Sequence, residues 1–248
     1  MTDDPGRQFS KTAQAYLTST THASGLDLQA LVAHARPNGQ ERLLDVGTNV
    51  GHTLRALAGK VRFAVGADIA SDALRLNRSV TTALNVALVE ADTVALPFAD
   101  GTFELVTCRL AAHHFQDAPA AYREIARVLA PDGRLLLIDN YAPDDPALDV
   151  WINELERLRD ASHVRERTLA EELALLDASG LRAEVLGRFG TPLKTEDWLA
   201  RSQTPVDRAA RVRQMLATPS PAARETFRVA PDGSTFDVPK AVIAARAK

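Results

Sequence analysis

Three aspartates and two glycines stand at intervals suited to holding a small polar ligand. In "LLDVGTNVGH", Leu43 to His52, Asp45 and Gly47 close a short apolar run, and Gly51 lies just inside the helix-period segment that follows. Glycine at such points lets the backbone turn sharply with no side chain between it and a ligand. Asp68 ends the second apolar run, about twenty residues on, where a carboxylate can accept hydrogen bonds from both hydroxyls of a ribose. Asp92 ends the third, in "VEADTVALPFADGTFELV". His113 and His114 follow the fourth run directly, and histidine is the natural proton acceptor near neutral pH. Singly, such an aspartate is as readily a helix cap or a solvated loop residue, and a histidine as readily orders a loop. Three aspartates at successive strand ends of one sheet are a ligand-site pattern.

The elements that must position these residues are legible as short apolar runs separated by helix-period segments. "RLLDVG" at 42–47, "RFAVGADI" at 62–69, "VALVEAD" at 86–92 and "FELVTCRL" at 103–110 are followed by "RLLLIDNY" at 134–141, after the helical "APAAYREIARVLA" and a turn at "PDG". Strands alternating with helices in this way predict parallel βαβ units in a doubly wound α/β sheet, and near-continuous apolar runs fit strands buried on both faces. In such sheets a ligand sits beyond the carboxyl ends of the strands, where the winding reverses. Residues 8–36 predict one or two helices with Phe9 and Tyr16 as apolar contacts. After residue 141 two helices are expected, the second stopped by Gly180, then the strand "LRAEVLGRFG", a polar helical insertion over 191–230 that could cover the sheet edge, and a last strand in "TFDVPKAVIAARA". The whole chain, 1–248, is expected to form one domain: an N-terminal helical cap over 1–40, a ligand-binding core over 41–141, and the remaining strands with an acceptor-side insertion over 142–248.

Composition narrows the partners. The 46% hydrophobic and 25% charged fractions are those of an ordinary globular chain, and a net charge of -3 offers no field to attract a nucleic-acid backbone. The single cysteine, Cys108, cannot form an internal disulfide, and no apolar run approaches the roughly 18 residues that span a bilayer. The polar start "MTDDPGRQFS" is unlike a secretory signal, so a cytoplasmic location is expected. The histidines and carboxylates near 113 lack metal-ligand spacing. Oligomeric state is not readable.

The segments "LLDVGTNVGH", "VGADIA", "EADTVALPFADGTFELVTCRLAAHHF" and "YREIARVLAPDGRLLLID" together resemble the class I S-adenosylmethionine-dependent methyltransferases, in particular the group related to the ubiquinone and menaquinone C-methyltransferases. The N-terminal "AQAYLTSTTHASGLDLQAL" and the stretch "YAPDDPALDVWINELERLRDASHVRE" also resemble a bacterial subgroup whose acceptors are mostly unassigned. The likeness is dense over residues 42–140. It implies a mainly parallel seven-stranded sheet with an antiparallel last strand. It also implies that the turn from Asp45 through Gly51 holds the methionine part of S-adenosylmethionine, that Asp68 holds the ribose, and that Asp92 with the Thr93 backbone meets the adenine amino edge. Cys108, Arg109 and Leu110 would form the floor beneath the sulfonium, with Arg109 paired to a carboxylate of cofactor or acceptor, or to a nearby acidic side chain.

One position departs from the family's pattern: Asn49 stands where glycine is usual. Asparagine enters left-handed backbone at modest cost, so the turn can form, provided that its side chain points away from the cofactor or donates to it. A dinucleotide-binding reading also uses a glycine turn and a later acidic residue, but it requires glycine at 49 and 52, which are Asn and His, and it has no use for Asp92.

Methyl transfer requires in-line approach of the acceptor, and a weakly nucleophilic carbon or hydroxyl also needs a base. His114 and His113 are the candidates, His114 being nearer Phe115, and His22 is a weaker one. Enzymes that methylate exocyclic amines of bases carry an Asn/Asp-Pro-Pro-aromatic run after the fourth strand, where this chain reads "CRLAAHHF". A small-molecule acceptor is therefore expected, in a pocket to which Phe115, Tyr141, Trp151 and Trp198 could contribute. The alternative is a protein that binds S-adenosylmethionine or S-adenosylhomocysteine without transfer, as a sensor or degenerate subunit.

Overall fold

The computed structural model describes residues 4–248; the first three residues of the expected cap lie outside the described residues. Seven strands form one sheet: β1 (Arg42–Val46), β2 (Phe63–Asp68), β3 (Val86–Glu90), β4 (Phe103–Arg109), β5 (Leu129–Asn140), β6 (Leu181–Lys194) and β7 (Thr235–Ala247). Their spatial order is β3-β2-β1-β4-β5-β7-β6. The first five pair parallel, and β7 runs antiparallel between β5 and β6. The winding reverses between β1 and β4, so the carboxyl ends of these two strands flank the crevice where a ligand is expected.

Alternate residues of each strand serve opposite faces. Val46, Val106 and Leu137 face Tyr122 and Ile125 of α6 (Ala118–Val128) and Leu176 of α8 (Leu169–Ala178), whereas Leu43, Leu105 and Leu136 face Leu31 of α3 (Leu26–Ala35) and Leu54 of α4 (His52–Ala58). Burial on both sides explains the unbroken apolar runs in the central strands. The N-terminal segment starts earlier and is more divided than the periodicity predicts. Asp4 caps Gly6 N at 2.9 Å and Pro5 opens α1 (Pro5–Leu17), then a single turn, α2 (Thr20–Ser24), leads into α3. Proline suits a first helical position because its missing N–H has no helical partner there. Ala13 and Tyr16 of α1 pack with Ala73 of α5 (Ser71–Val80) and with Val50 of the β1 turn.

Three boundaries differ from expectation. β3 stops at Glu90, so Asp92 lies two residues beyond it. β5 begins at Leu129 and not at 134: Phe103 pairs with Leu129, the register then shifts, and Leu105 pairs with Arg134, so "PDG" is an irregularity inside the strand. β6 continues to Lys194, where Thr191–Lys194 pair with Val238–Thr235, although Pro192 and the polar composition read as insertion. Proline is tolerated on an edge strand, and β6 is one. The projecting β6–β7 ribbon carries α9 (Thr195–Arg201), α10 (Val206–Ala217) and α11 (Pro221–Thr226). Together with α7 (Pro146–Arg159) these bury their own cluster of Ile152, Leu155, Trp198, Val212, Phe227 and Phe236.

Candidate functional site

A cavity of about 480 Å³ opens at the carboxyl ends of β1, β2 and β4. Its wall includes Gly47, Asn49, Asp68, Asp92, Thr93, Arg109, His114 and Phe115 of the residues expected there, and Phe9, Tyr16 and His22 from the N-terminal helices.

The β1 turn is built by hydrogen bonds that local sequence does not announce. Gly47 has φ +65°, and a Cβ on it would lie 2.5 Å from that of Ala111 after β4. Gly51 has φ +82°, and a Cβ there would collide with the side chain of Asn77. Asn49 adopts φ +48°, the left-handed conformation that its position demands. Its Oδ1 accepts from Val50 N at 2.7 Å, and its carbonyl accepts from Asn77 Nδ2 at 3.1 Å. The amide oxygen is thus turned onto the chain's own backbone. Asn77, fully buried on α5, staples the turn and had no signal beyond its helix-face position.

Asp45 requires a correction. It does not line the cavity: it is 2% exposed, with Oδ2 accepting from Thr48 Oγ1 at 2.7 Å and Oδ1 from Thr107 Oγ1 at 2.7 Å. Burial pushes its pKa up to about 6 against those two bonds. It ties the turn to β4 from behind, and Gly51 likewise lies off the cavity wall. Asp68 faces the cavity while its oxygens accept from Asn49 N at 2.7 Å and Ala70 N at 2.8 Å. Burial raises its pKa, opposed by these backbone donors. Each oxygen keeps further acceptor capacity, as a carboxylate has about four lone-pair sites. Asp92 is exposed and accepts from Val94 N at 3.2 Å.

Arg109 finds its carboxylate within this chain. Its guanidinium meets Asp27 Oδ2 at 2.8 Å, Thr53 Oγ1 at 2.9 Å and the His22 carbonyl at 3.0 Å. A bond spanning 82 residues leaves no local pattern by which Asp27 could be found.

The two histidines differ. The Asp139 carboxylate accepts from both the backbone N of His113, at 3.0 Å, and its Nδ1, at 2.6 Å, while the His113 carbonyl accepts from Val164 N and Arg165 N. Burial lowers its pKa, but the charge of Asp139 and this hydrogen bond outweigh it and leave the value raised. His113 thereby joins β5 to the loop after α7, and it is absent from the wide cavity. His114 does line that cavity, edge-on to Phe9 at 4.8 Å between centroids. Its Nδ1 lies 3.1 Å from the Ser162 carbonyl. A carbonyl only accepts, so the network assigns the proton to Nδ1 and leaves the lone pair on Nε2. Burial, with His113 beside it, pushes its pKa down to about 4. Of the four aromatics expected at a pocket, Phe115 lines the wide cavity and Trp198 a smaller one behind it. The other two fall elsewhere: Trp151 stacks on Phe227 in the insertion cluster, and Tyr141 packs against the α6 side of the sheet.

Strand order β3-β2-β1-β4-β5-β7-β6 with an antiparallel β7, and a ligand-sized cavity over the β1 turn, is the architecture of the class I S-adenosylmethionine-dependent methyltransferases. Residues 44–137 match the methyltransferase domain family. Over 222 residues the chain is 39% identical to the uncharacterized methyltransferase YcgJ of Bacillus subtilis (strain 168), which covers 88% of this chain and 88% of that protein. The crystal structure of YcgJ superposes with a TM-score of 0.86 at 36% identity, over 90% of this chain and 98% of that one. A demethylmenaquinone methyltransferase of Thermus thermophilus is 37% identical over 139 residues, covering 53% of this chain and 63% of that protein. The chain belongs to the S-adenosylmethionine-dependent methyltransferase family, and S-adenosylmethionine is its cofactor. Among the described residues no helix is long and apolar enough to cross a membrane.

Proposed function

We propose that this chain transfers a methyl group from S-adenosylmethionine to a carbon or oxygen atom of a small molecule. It would work in the cytoplasm as one domain whose N-terminal helices (1–40) and later insertion (within 142–248) close over the core (41–141). The observation that carries the reading is the placement of Asp68, Asn49 and His114 on one cavity at the strand ends. The glycine-cramped turn and the buried carboxylate of Asp68 fit the cofactor. In this reading the turn from Gly47 holds the methionine part, Asp68 the ribose, and Asp92 with the Thr93 backbone the adenine; Asp45 and Arg109 position the turn and floor.

When bound, the cofactor would supply an electrophilic methyl group, with S-adenosylhomocysteine as the leaving group. The chain would supply positioning, exclusion of water by α1, and a neutral imidazole, that of His114, whose Nε2 would take the proton released from the acceptor atom. Incubation with methyl-labelled cofactor and size-fractionated cell extract tests the acceptor class. Label is expected in the low-mass fraction, and label confined to nucleic acid or protein would overturn the small-molecule reading.

The unusual Asn49 yields a separate expectation. Asn49→Gly should retain cofactor affinity, because the amide oxygen serves only Val50 N. Asn49→Val should weaken it about tenfold or more, since forcing a β-branched residue to positive φ costs roughly 1–3 kcal/mol. Calorimetry decides; a loss with glycine would mean that the amide contacts the cofactor.

A further inference from the structure

Behind the wide cavity is a smaller one of about 50 Å³, and the two share Tyr16, His22, Leu110 and His114 as a common wall. The inner cavity is lined by three cations, Arg159, Arg201 and Lys240, against one carboxylate, Glu156. Burying charge is costly unless each charge is paired. Lys240, 4% exposed, has only Asp27 Oδ2 at 3.6 Å, and that oxygen is already held by Arg109 at 2.8 Å. Arg159, 7% exposed, meets Glu156 at 3.3 Å and the Tyr16 hydroxyl at 3.4 Å, lies over the Trp198 ring and also feels the charge of the adjoining buried Asp160 carboxylate. Glu156 in turn stands beside Glu166, whose pKa is pushed well above the usual carboxyl value by burial and by the nearby Glu156 charge. Arg201 forms no ion pair among the described residues, and its Nε is buried with no hydrogen-bond partner. Asp197, the carboxylate near it, is exposed and screened by solvent.

We propose that the inner cavity seats a carboxylate carried by the methyl acceptor, held by Arg201, Arg159 and Lys240, with the reacting atom at the shared wall beside Leu110 and His114. The volume admits a carboxylate but not the body of the acceptor, which occupies the acceptor end of the wide cavity. A planar carboxylate matches the forked donors of a guanidinium, and it completes the partners that Arg201 and Lys240 lack. His22 shows the same positive field: burial, followed by the charges of Arg201, Arg109, Lys240 and Arg159, holds its pKa well below the usual value. The bound anion also favours the protonated form of His114, which makes that imidazole a better proton acceptor when the acceptor is in place. One of the proposed ligands, Arg201, comes from α9 of the insertion, which gives the insertion a part in choosing the acceptor.

This assignment rests on the methyltransferase reading above, and the experiment separates the two. Benzoate and hexanoate, each alongside its neutral amide, are titrated by calorimetry into protein saturated with S-adenosylhomocysteine. At least one acid should bind ten-fold or more tightly than its amide. Arg201→Gln should remove most of that preference while S-adenosylhomocysteine affinity and melting temperature stay close to those of the parent. Equal binding of acids and amides, no binding of either acid, or a preference that survives both Arg201→Gln and Lys240→Met would overturn the carboxylate site and leave the methyltransferase reading intact. Failure of S-adenosylhomocysteine itself to bind would remove the reading on which the site rests.

Discussion

Replacing His114 with asparagine should slow methyl transfer by about 10²- to 10⁴-fold, the usual contribution of a positioned proton acceptor. The cofactor affinity should remain nearly unchanged, because His114 lies outside the β1 turn and the Asp68 contacts. Asparagine can still donate to the Ser162 carbonyl that now receives His114 Nδ1–H, so the loop keeps its anchor while the Nε2 lone pair is lost. His113→Ala should behave in the opposite way. The Asp139 carboxylate loses its 2.6 Å partner in a buried setting, so the melting temperature, cofactor binding and turnover should fall together. Single-turnover rates and melting curves of the two variants distinguish these patterns. Full activity in His114→Asn would remove proton transfer from the mechanism and leave positioning alone.

Asp68→Ala should weaken S-adenosylmethionine binding by about 10²-fold or more. In the proposed reading, two charge-assisted hydrogen bonds to ribose hydroxyls would contribute roughly 1.5–3 kcal/mol each, and each 1.4 kcal/mol is a factor of about ten in affinity. The same substitution strands the Asn49 and Ala70 N–H groups that the carboxylate now accepts, which loosens the turn as well. Calorimetry on Asp68→Ala and Asp68→Asn separates the two contributions. Asparagine keeps one acceptor oxygen and should lose less. Unchanged affinity in both variants would contradict the ribose role.

The parts of this fold that were legible in the sequence are those whose cause is local. Strands β1, β2 and β4 are buried on both faces and read as apolar runs, and the aspartates at or just past the strand ends stand out because little else there is polar. Asn49 at positive φ followed from its own side chain, since few residues enter that region. What escaped is long-range. Asp27 meets Arg109, Asn77 meets the Asn49 carbonyl, and Arg159, Arg201 and Lys240 converge from α7, α9 and β7, all without a motif. Asp139 could have been found, because it occupies the same kind of strand-end position as Asp68. The ribbon formed by the outer halves of β6 and β7 was hidden by Pro192 and by its polar residues, which an edge strand accepts and a central one does not.

This chain is expected to catalyse methyl transfer and not merely to hold the cofactor. The direct measurement is the stoichiometry of the reaction when purified protein is incubated with methyl-labelled S-adenosylmethionine in excess and a low-mass metabolite fraction. S-adenosylhomocysteine and one labelled small molecule should form in equal amounts, both rising well past one equivalent per protein and both suppressed in His114→Asn. Saturable cofactor binding with neither product formed from any fraction would contradict it and identify a binding protein instead.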